Sequence, residues 1–135
     1  NHATRTFSAL AAALFLSTGL YAQDYRSKTS GNWNTLSTWE QWDGSGWVNA
    51  TTLPSSASGT ISILSPHTVT VNDNRSADEL TVASGATLTI SSGTFTVADG
   101  TGTDMEVLGT WNLNNGSVST TGSLRVNGGS FAWTT

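Results

Sequence analysis

The chain contains no cysteine among its 135 residues, and it has only two prolines and one methionine. The absence of cysteine excludes disulfide bonds, cysteine-ligated zinc and thiol catalysis. Small extracellular domains usually depend on such cross-links, because their cores are small. We therefore expect the stability of this chain to come from repetitive packing, from bound ions or from a longer parent chain.

Charged residues are also scarce. They make up 10 % of the chain, and the nine acidic side chains outnumber the five basic ones. Because nucleic-acid binding requires a basic surface that neutralises phosphates, we expect no nucleic-acid partner. The abundant residues are instead glycine, serine, threonine and asparagine, and together with valine and isoleucine they are typical of many short strands joined by tight turns.

An apolar run at residues 7–20 follows the cation Arg5 and leads into Leu20-Tyr21-Ala22. This pattern is typical of a secretory signal peptide cleaved after Ala22. A membrane-spanning helix needs about 20 predominantly apolar residues, and this run is shorter. We therefore predict a secreted or cell-surface protein with no membrane span after cleavage. An uncleaved anchor and an amphipathic core helix are the alternatives for this segment.

Three segments follow from the composition. We expect a signal-peptide helix at residues 1–22, a tryptophan-rich N-terminal cap at residues 23–58 and solenoid coils at residues 59–135. The first residue is not methionine, and the last residues show no capping feature. We therefore expect the sequence to be a piece of a longer protein, with the coils truncated at their C-terminal end.

Apolar residues alternate with polar ones throughout residues 61–133, which indicates strands with one buried face. Glycine-centred turns separate these apolar positions. The positions are Ile61/Ile63, Val69/Val71, Leu80/Val82, Leu88/Ile90, Phe95/Val97, Met105/Val107, Trp111/Leu113, Val118, Leu124/Val126 and Phe131/Trp133.

Stacking every third of these strands reveals a longer repeat of about 19 to 25 residues, which is typical of a solenoid. Leu80 then aligns with Met105 and Leu124, Leu88 with Trp111 and Phe131, and Phe95 with Val118. The predicted fold class is all-β, a right-handed parallel β-helix (a single-strand β-solenoid) with an N-terminal cap. A β-sandwich or meander is the alternative, because hairpin-type turns such as Asn115-Gly116 are also present.

Several short motifs follow one another in a recognisable order. They are Ser30-Gly-Asn-Trp33, Ser37-Thr-Trp39, Leu53-Pro54, Ile61-Ser-Ile63, His67-Thr-Val-Thr-Val71 and Leu80-Thr-Val82-Ala-Ser-Gly85-Ala-Thr-Leu88-Thr-Ile90. This order resembles the N-terminal region of large secreted bacterial surface proteins with β-solenoid repeats, of the kind exported by type IX secretion. A weaker likeness is to the G8 domain, an extracellular β-rich module. The resemblance implies an extracellular location and a β-solenoid fold.

The best candidates for a binding surface are Trp42 and Trp47, which flank the turn Asp43-Gly-Ser-Gly46. Exposed tryptophan rings offer a flat face on which a sugar ring can pack, so we expect these two to contact carbohydrate. Trp33 and Trp39 are expected instead to cover the first coil, since an open solenoid end exposes apolar surface.

Acidic residues suggest a second site. Asp99 and Asp104 bracket a glycine loop, and carboxylates with carbonyl oxygens are the ligands that Ca²⁺ requires. Calcium is therefore the one cofactor that the sequence suggests, and a turn that merely lengthens one coil is the alternative. A further acidic group at Asp73, Asp78 and Glu79 lies near Arg75, and we expect solvated loop charges there and not a catalytic pair.

No residue cluster identifies a reaction, so we expect no catalytic residues. The predicted function is a non-catalytic structural or adhesive segment of a secreted or cell-surface protein. Its expected partners are surface glycans or other modules of the same parent chain. The alternative is the N-terminal part of a polysaccharide-binding or polysaccharide-degrading enzyme.

Overall fold

The computed structural model describes residues 22–134. The predicted signal helix, apart from Ala22, lies outside the described residues. The described chain folds into short strands, with one turn of 3-10 helix at Leu36–Thr38 and no helix long and apolar enough to cross a membrane. The strands are β1 (Tyr25–Ser27), β2 (Gly31–Asn32), β3 (Trp39–Trp42), β4 (Trp47–Asn49), β5 (Thr60–Ile63), β6 (Thr68–Val71), β7 (Arg75–Ala77), β8 (Glu79–Val82), β9 (Thr87–Ile90), β10 (Thr94–Val97), β11 (Met105–Val107), β12 (Thr110–Asn114), β13 (Ser117–Thr120), β14 (Leu124–Val126) and β15 (Ser130–Thr134).

Three sheets form the sides of the coil. The first sheet has the strand order β14-β11-β8-β5-β1-β3-β4, the second β15-β12-β9-β6-β2 and the third β13-β10-β7. From β5 onward the chain visits the three sheets in turn, and each strand from β8 onward lies parallel to the strand one coil earlier. The result is a parallel β-solenoid of about four turns, which confirms the predicted fold class.

The register of the stack confirms the predicted alignment. Leu80 pairs with Met105 and Met105 with Leu124, while Trp111 lies between Leu88 and Phe131. In the third sheet the predicted partners Phe95 and Val118 are also paired. In the first and second sheets the stacking begins one coil earlier than predicted, because Ile61 pairs with Leu80 and Val69 pairs with Leu88.

The inward side chains form one continuous apolar core. Each coil covers the apolar pair of its neighbour, so side chains such as Leu88 and Phe95 have no exposed surface. Trp33 lies in the same core and packs edge to face on Trp39 and Phe95, with ring centroids 5.0 and 5.4 Å apart. Its indole N–H donates to the carbonyl of Pro54 at 2.9 Å, which satisfies the one polar atom of the buried ring.

The N-terminal end of the stack is covered by its own chain. Strands β1 and β2 pair with β5 and β6 as part of a first coil, and the antiparallel hairpin β3–β4 extends the first sheet beyond them. Residues 53–58 approach the outer edge of the third sheet, where the amide of Ser56 donates to Ser76 Oγ at 3.1 Å. Open strand edges attract other strands; here β3 occupies the outer edge of β1, and residues 53–58 contact the outer edge of β7.

Candidate functional site

The hairpin that carries Trp42 and Trp47 is organised by Asp43. Its Oδ1 accepts hydrogen bonds from the backbone N–H groups of Ser45 and Gly46, both at 2.8 Å. The same bonds lower the pKa of Asp43. Gly44 adopts a φ of +100°, a backbone conformation that the absence of a β-carbon permits. The turn therefore has a defined shape, and it sets the two flanking tryptophans opposite each other.

Trp42 and Trp47 are direct partners across the antiparallel strands β3 and β4. Their ring centroids lie 5.5 Å apart at an interplanar angle of 66°. Trp42 is 39 % exposed, and Trp47 is partly buried. The structure thus brings the two predicted residues together as one aromatic pair on the surface.

Arg26 on β1 and Glu40 on β3 support this pair. Arg26 Nε donates to Glu40 Oε2 at 2.8 Å, and the guanidinium carbon lies 4.5 Å from the ring centroid of Trp47. A cation over an exposed aromatic ring contributes about 0.5–1 kcal/mol. The contact fixes one face of Trp47, so the open aromatic surface of the pair lies mainly on Trp42.

The sheet around the pair presents polar side chains. The strand register places one outward residue of every strand in a single row across the first sheet, and charged and uncharged residues are mixed along it. The row runs Asn49, Glu40, Arg26, Ser62, Thr81, Glu106 and Arg125. We refer to Trp42, Trp47, Arg26 and Glu40 as the tryptophan surface. Its chemistry, planar rings beside fixed hydrogen-bonding groups, suits a ligand with both apolar faces and hydroxyls.

Asp104 is one of the two residues predicted to bind calcium. Its side chain is buried between Gly100 on its own loop and Ser123 on the next coil. Its Oδ1 accepts from the backbone N–H of Gly100 at 2.8 Å, and its Oδ2 accepts from the backbone N–H of Ser123 at 2.7 Å. These bonds lower the pKa of Asp104. Asp99 lies exposed on the same loop. Both Asp104 oxygens are thus used within the protein, which favours a structural role for this side chain.

Residues 22–134 contain no cluster of three or more histidine, cysteine or acidic side chains that could hold a metal ion. Calcium binding at Asp99 and Asp104 therefore stays a prediction.

Asp78 lies beside Asp104, although the sequence had placed it in a different group. Burial, followed by the nearby charge of Asp104, raises the pKa of Asp78. Its Oδ1 is buried and has no hydrogen-bond partner among the described residues. The protonated form of Asp78 can donate to Asp104, so the pair is most favourable when only one of the two carboxyl groups is charged.

Asp78→Asn is expected to raise the melting temperature at pH 8 and to change it little at pH 4. A group whose pKa is raised on folding adds stability below its unfolded pKa and loses that contribution as the pH rises through the folded value. The asparagine amide keeps a donor toward Asp104 and cannot ionise. Thermal unfolding followed by circular dichroism between pH 4 and 8 measures the effect.

Asp99→Asn is the matched control for this measurement, because it removes an exposed charge from the loop of Asp104 and leaves the side chains of Asp78 and Asp104 unchanged. We expect Asp99→Asn to raise the melting temperature at pH 8 by less than Asp78→Asn does. Equal melting temperatures for Asp78→Asn and the unchanged chain at pH 8 would contradict the proposed charge repulsion between Asp78 and Asp104.

The acidic group of Asp73, Asp78 and Glu79, which was expected to consist of solvated loop charges, is divided in the structure. Asp73 makes a two-bond ion pair with Arg75, at 2.9 and 2.7 Å, which lowers the pKa of Asp73 and raises that of Arg75. Arg75 also lines a shallow cavity of about 380 Å³ between Pro54 and Thr96. Asp78 lies instead beside Asp104. The carboxyl groups of Asp73 and Asp78 therefore belong to two separate sites.

Among residues 22–134, Ser27 and His67 form a serine–histidine pair within hydrogen-bonding distance. Ser27 Oγ is 2.7 Å from His67 Nδ1. Ser27 is only 1 % exposed, and its Oγ also accepts from the backbone N–H of Leu64 at 2.8 Å. A nucleophile has to reach its substrate, so this geometry indicates a structural bond between the first two coils.

The sequence did not point to Arg26, Glu40 or Asp78 as neighbours of the candidate sites. Arg26 lies in a three-residue strand without an apolar pair, so the alternation pattern gave no signal for it. A weak signal existed for Asp78 and Asp104, because each comes shortly before a ladder residue, Leu80 or Met105.

Comparison with known proteins adds no relative. No protein-family model, no curated protein and no solved structure matches the chain. The resemblance to type IX-exported surface proteins and to the G8 domain therefore stays a prediction.

Proposed function

We propose that this chain is a non-catalytic structural and adhesive β-solenoid segment of a secreted or cell-surface protein. The observation that supports this role is the exposed aromatic pair of Trp42 and Trp47, held in place by Asp43 and Arg26 at the closed end of a packed coil stack. The stack supplies a stiff support, and the tryptophan surface supplies a contact. Export rests on the signal-peptide pattern of residues 1–22.

Glycans are the proposed ligands of the tryptophan surface. An aromatic ring can pack against the apolar face of a pyranose, while Glu40, Lys28 and Asn49 offer hydrogen-bonding groups beside it. Lys28 Nζ already donates to Asn49 Oδ1 at 2.7 Å, so these side chains are partly ordered before any ligand arrives. Preorganised polar groups reduce the entropy lost on binding.

Trp42→Ala is expected to weaken glycan binding by about tenfold or more, since truncating an aromatic anchor costs at least about 1.4 kcal/mol at many binding surfaces. Trp47→Ala should have a similar effect, because it also removes the ring that orients Trp42. Binding to an immobilised glycan array, followed by titration of the best glycan, measures the change.

Val48→Ala is the matched control. Val48 is 39 % exposed and follows Trp47 on β4, but its side chain points to the opposite side of the hairpin. We expect it to bind as the unchanged chain does. The absence of any glycan ligand, or full binding by Trp42→Ala, would refute an adhesive role for this surface.

The second candidate function is the N-terminal part of a polysaccharide-acting enzyme, which the same aromatic pair favours. The two functions differ in what happens to the bound polymer. An enzyme would release new reducing ends from a polysaccharide that the array identifies, whereas an adhesive segment would leave its chain length unchanged. This assay is best made on the full-length protein.

A further inference from the structure

The last coil presents an apolar surface at the C-terminal end of the stack. Four of its large hydrophobic side chains are exposed, from 39 % for Leu124 to 69 % for Trp133, with Val126 and Phe131 between these values. All four continue ladders whose members in the middle coils are buried. They are therefore core positions that lack the covering coil which every earlier coil has.

The last coil is nevertheless regularly formed. Its strands β13, β14 and β15 pair in parallel with β10, β11 and β12, and the amide of Ser130 donates to the carbonyl of Gly109 at 2.9 Å. The ring of Phe131 packs on Trp111 at 4.6 Å between centroids. The exposed apolar surface thus belongs to an ordered coil and not to a frayed end.

The outer edges of β13, β14 and β15 lack the features that protect natural strand edges. Exposed edges are usually blunted by proline, by inward-pointing charge or by a covering segment. Residues 108–134 contain no proline, and Arg125 is their one charged residue. Among residues 22–134, no strand pairs with these three edges. At the N-terminal end, by contrast, β3 occupies the outer edge of β1, and residues 53–58 contact the outer edge of β7.

We propose that this C-terminal end is an elongation surface, occupied by a further solenoid coil of the same polypeptide. Three short strands with apolar residues at alternate positions would continue the interface that already joins every pair of successive coils. The polypeptide leaving β15 is suitably placed, because Thr134 pairs with Asn114, from which the chain turns into β13. A coil supplied within the same chain also avoids the entropy cost of binding a second molecule.

The inference rests on the proposed structural role and extends it, since an elongated stack would be a longer stalk. It does not involve the tryptophan surface. A failure of the glycan experiment would therefore leave this proposal standing, and a failure here would leave glycan binding untouched.

Hydrogen exchange on an extended chain tests the stacking. A second copy of residues 115–134, added after Thr134, should slow amide exchange in β13, β14 and β15 by about tenfold or more, because it closes their edges. The control extension carries serine at its five inward apolar positions and should give no protection. Mass spectrometry of peptides from each coil reads the result.

Two outcomes of the exchange experiment would overturn the proposal. One is an apolar extension that protects no better than the serine extension. The other is protection of β13–β15 in the unextended chain that rises with protein concentration, because a second copy would then be covering the end.

The gene sequence beyond Thr135 tests the source of the coil. Inward residues follow each other across the corner between the second and third sheets at a spacing of five, as from Ile90 to Phe95 and from Leu113 to Val118. The proposal therefore expects an apolar residue about five positions after Trp133, followed by further alternating pairs and glycine turns. An intact natural protein that ends at Thr135 would refute it.

Discussion

Leu88→Ala is expected to lower the free energy of unfolding by about 2–5 kcal/mol. Leu88 has no exposed surface, and it lies in the middle of the second sheet between Val69 and Trp111. Removing its side chain leaves a cavity that neither neighbour can fill, because each is held in register by its own strand. Chemical denaturation followed by tryptophan fluorescence or circular dichroism measures the loss.

Thr89→Ala is the matched control for this substitution. Thr89 follows Leu88 on the same strand and points outward, where it is partly exposed. Surface substitutions of this kind usually change stability by less than about 0.5 kcal/mol. Equal losses for the two variants would contradict the inward and outward assignment on which the core rests.

Gly109→Ala is the second change with a large expected effect. A β-carbon at this position would lie 2.3 Å from the carbonyl oxygens of both Ala83 and Ala86, which belong to the coil before. Backbone atoms cannot move aside as a flexible side chain can, so the two coils would have to separate locally. We expect the free energy of unfolding to fall by about 3 kcal/mol, at the upper end of the usual cost of overpacking.

Gly46→Ala supplies the comparison for Gly109→Ala. A β-carbon at Gly46 meets no atom within 4 Å, so the substitution adds a methyl group to open space. Its melting temperature should stay close to that of the unchanged chain. If Gly109→Ala were equally harmless, the coils could not be packed as closely as the structure has them.

The solenoid could be predicted from the sequence because its signal is repeated. Apolar residues at alternate positions specify one buried face in each strand, and the spacing between strands specifies which of them stack. The alignment of Leu88 with Trp111 and Phe131 required no tertiary information beyond this periodicity. Every coil repeats the same pattern of inward apolar residues. A wrong prediction for one strand therefore does not change the predicted fold class.

The construction of the N-terminal end could not be predicted in the same way. Strands β1 and β2 have three and two residues, and neither carries an apolar pair. Their pairing with β5 and β6, and the antiparallel direction of β3 and β4, depend on contacts between segments far apart in the chain. The sequence indicated a tryptophan-rich cap, while the first coil within it became visible only in the structure.

The candidate site was predictable in part for a similar reason. Trp42 and Trp47 flank a turn with recognisable Asp and Gly positions, so a local pattern indicated that both belong to a surface turn. Arg26 reaches Trp47 from a strand that is distant in sequence, and no local pattern indicates such a contact. The same holds for Asp78 and Asp104, which stacking brings together across one coil.

Parallel coils stacked in register carry the tryptophan surface at one end and leave the other end open. Cross-linking of introduced cysteines tests this stacking most directly, because the chain has no cysteine of its own. Ser62 and Thr81 are outward partners on adjacent coils, about 4.8 Å apart by the usual strand spacing. Glu106 lies one coil further along the same row, about 9.6 Å from Ser62 by that spacing.

A short thiol-to-thiol cross-linker should therefore join the cysteines of the Ser62→Cys/Thr81→Cys variant within one molecule. It should not join those of the Ser62→Cys/Glu106→Cys variant under the same conditions. Mass spectrometry of the cross-linked peptides gives the result. Efficient cross-linking in the second variant and none in the first would contradict the stacked register and, with it, the proposed scaffold.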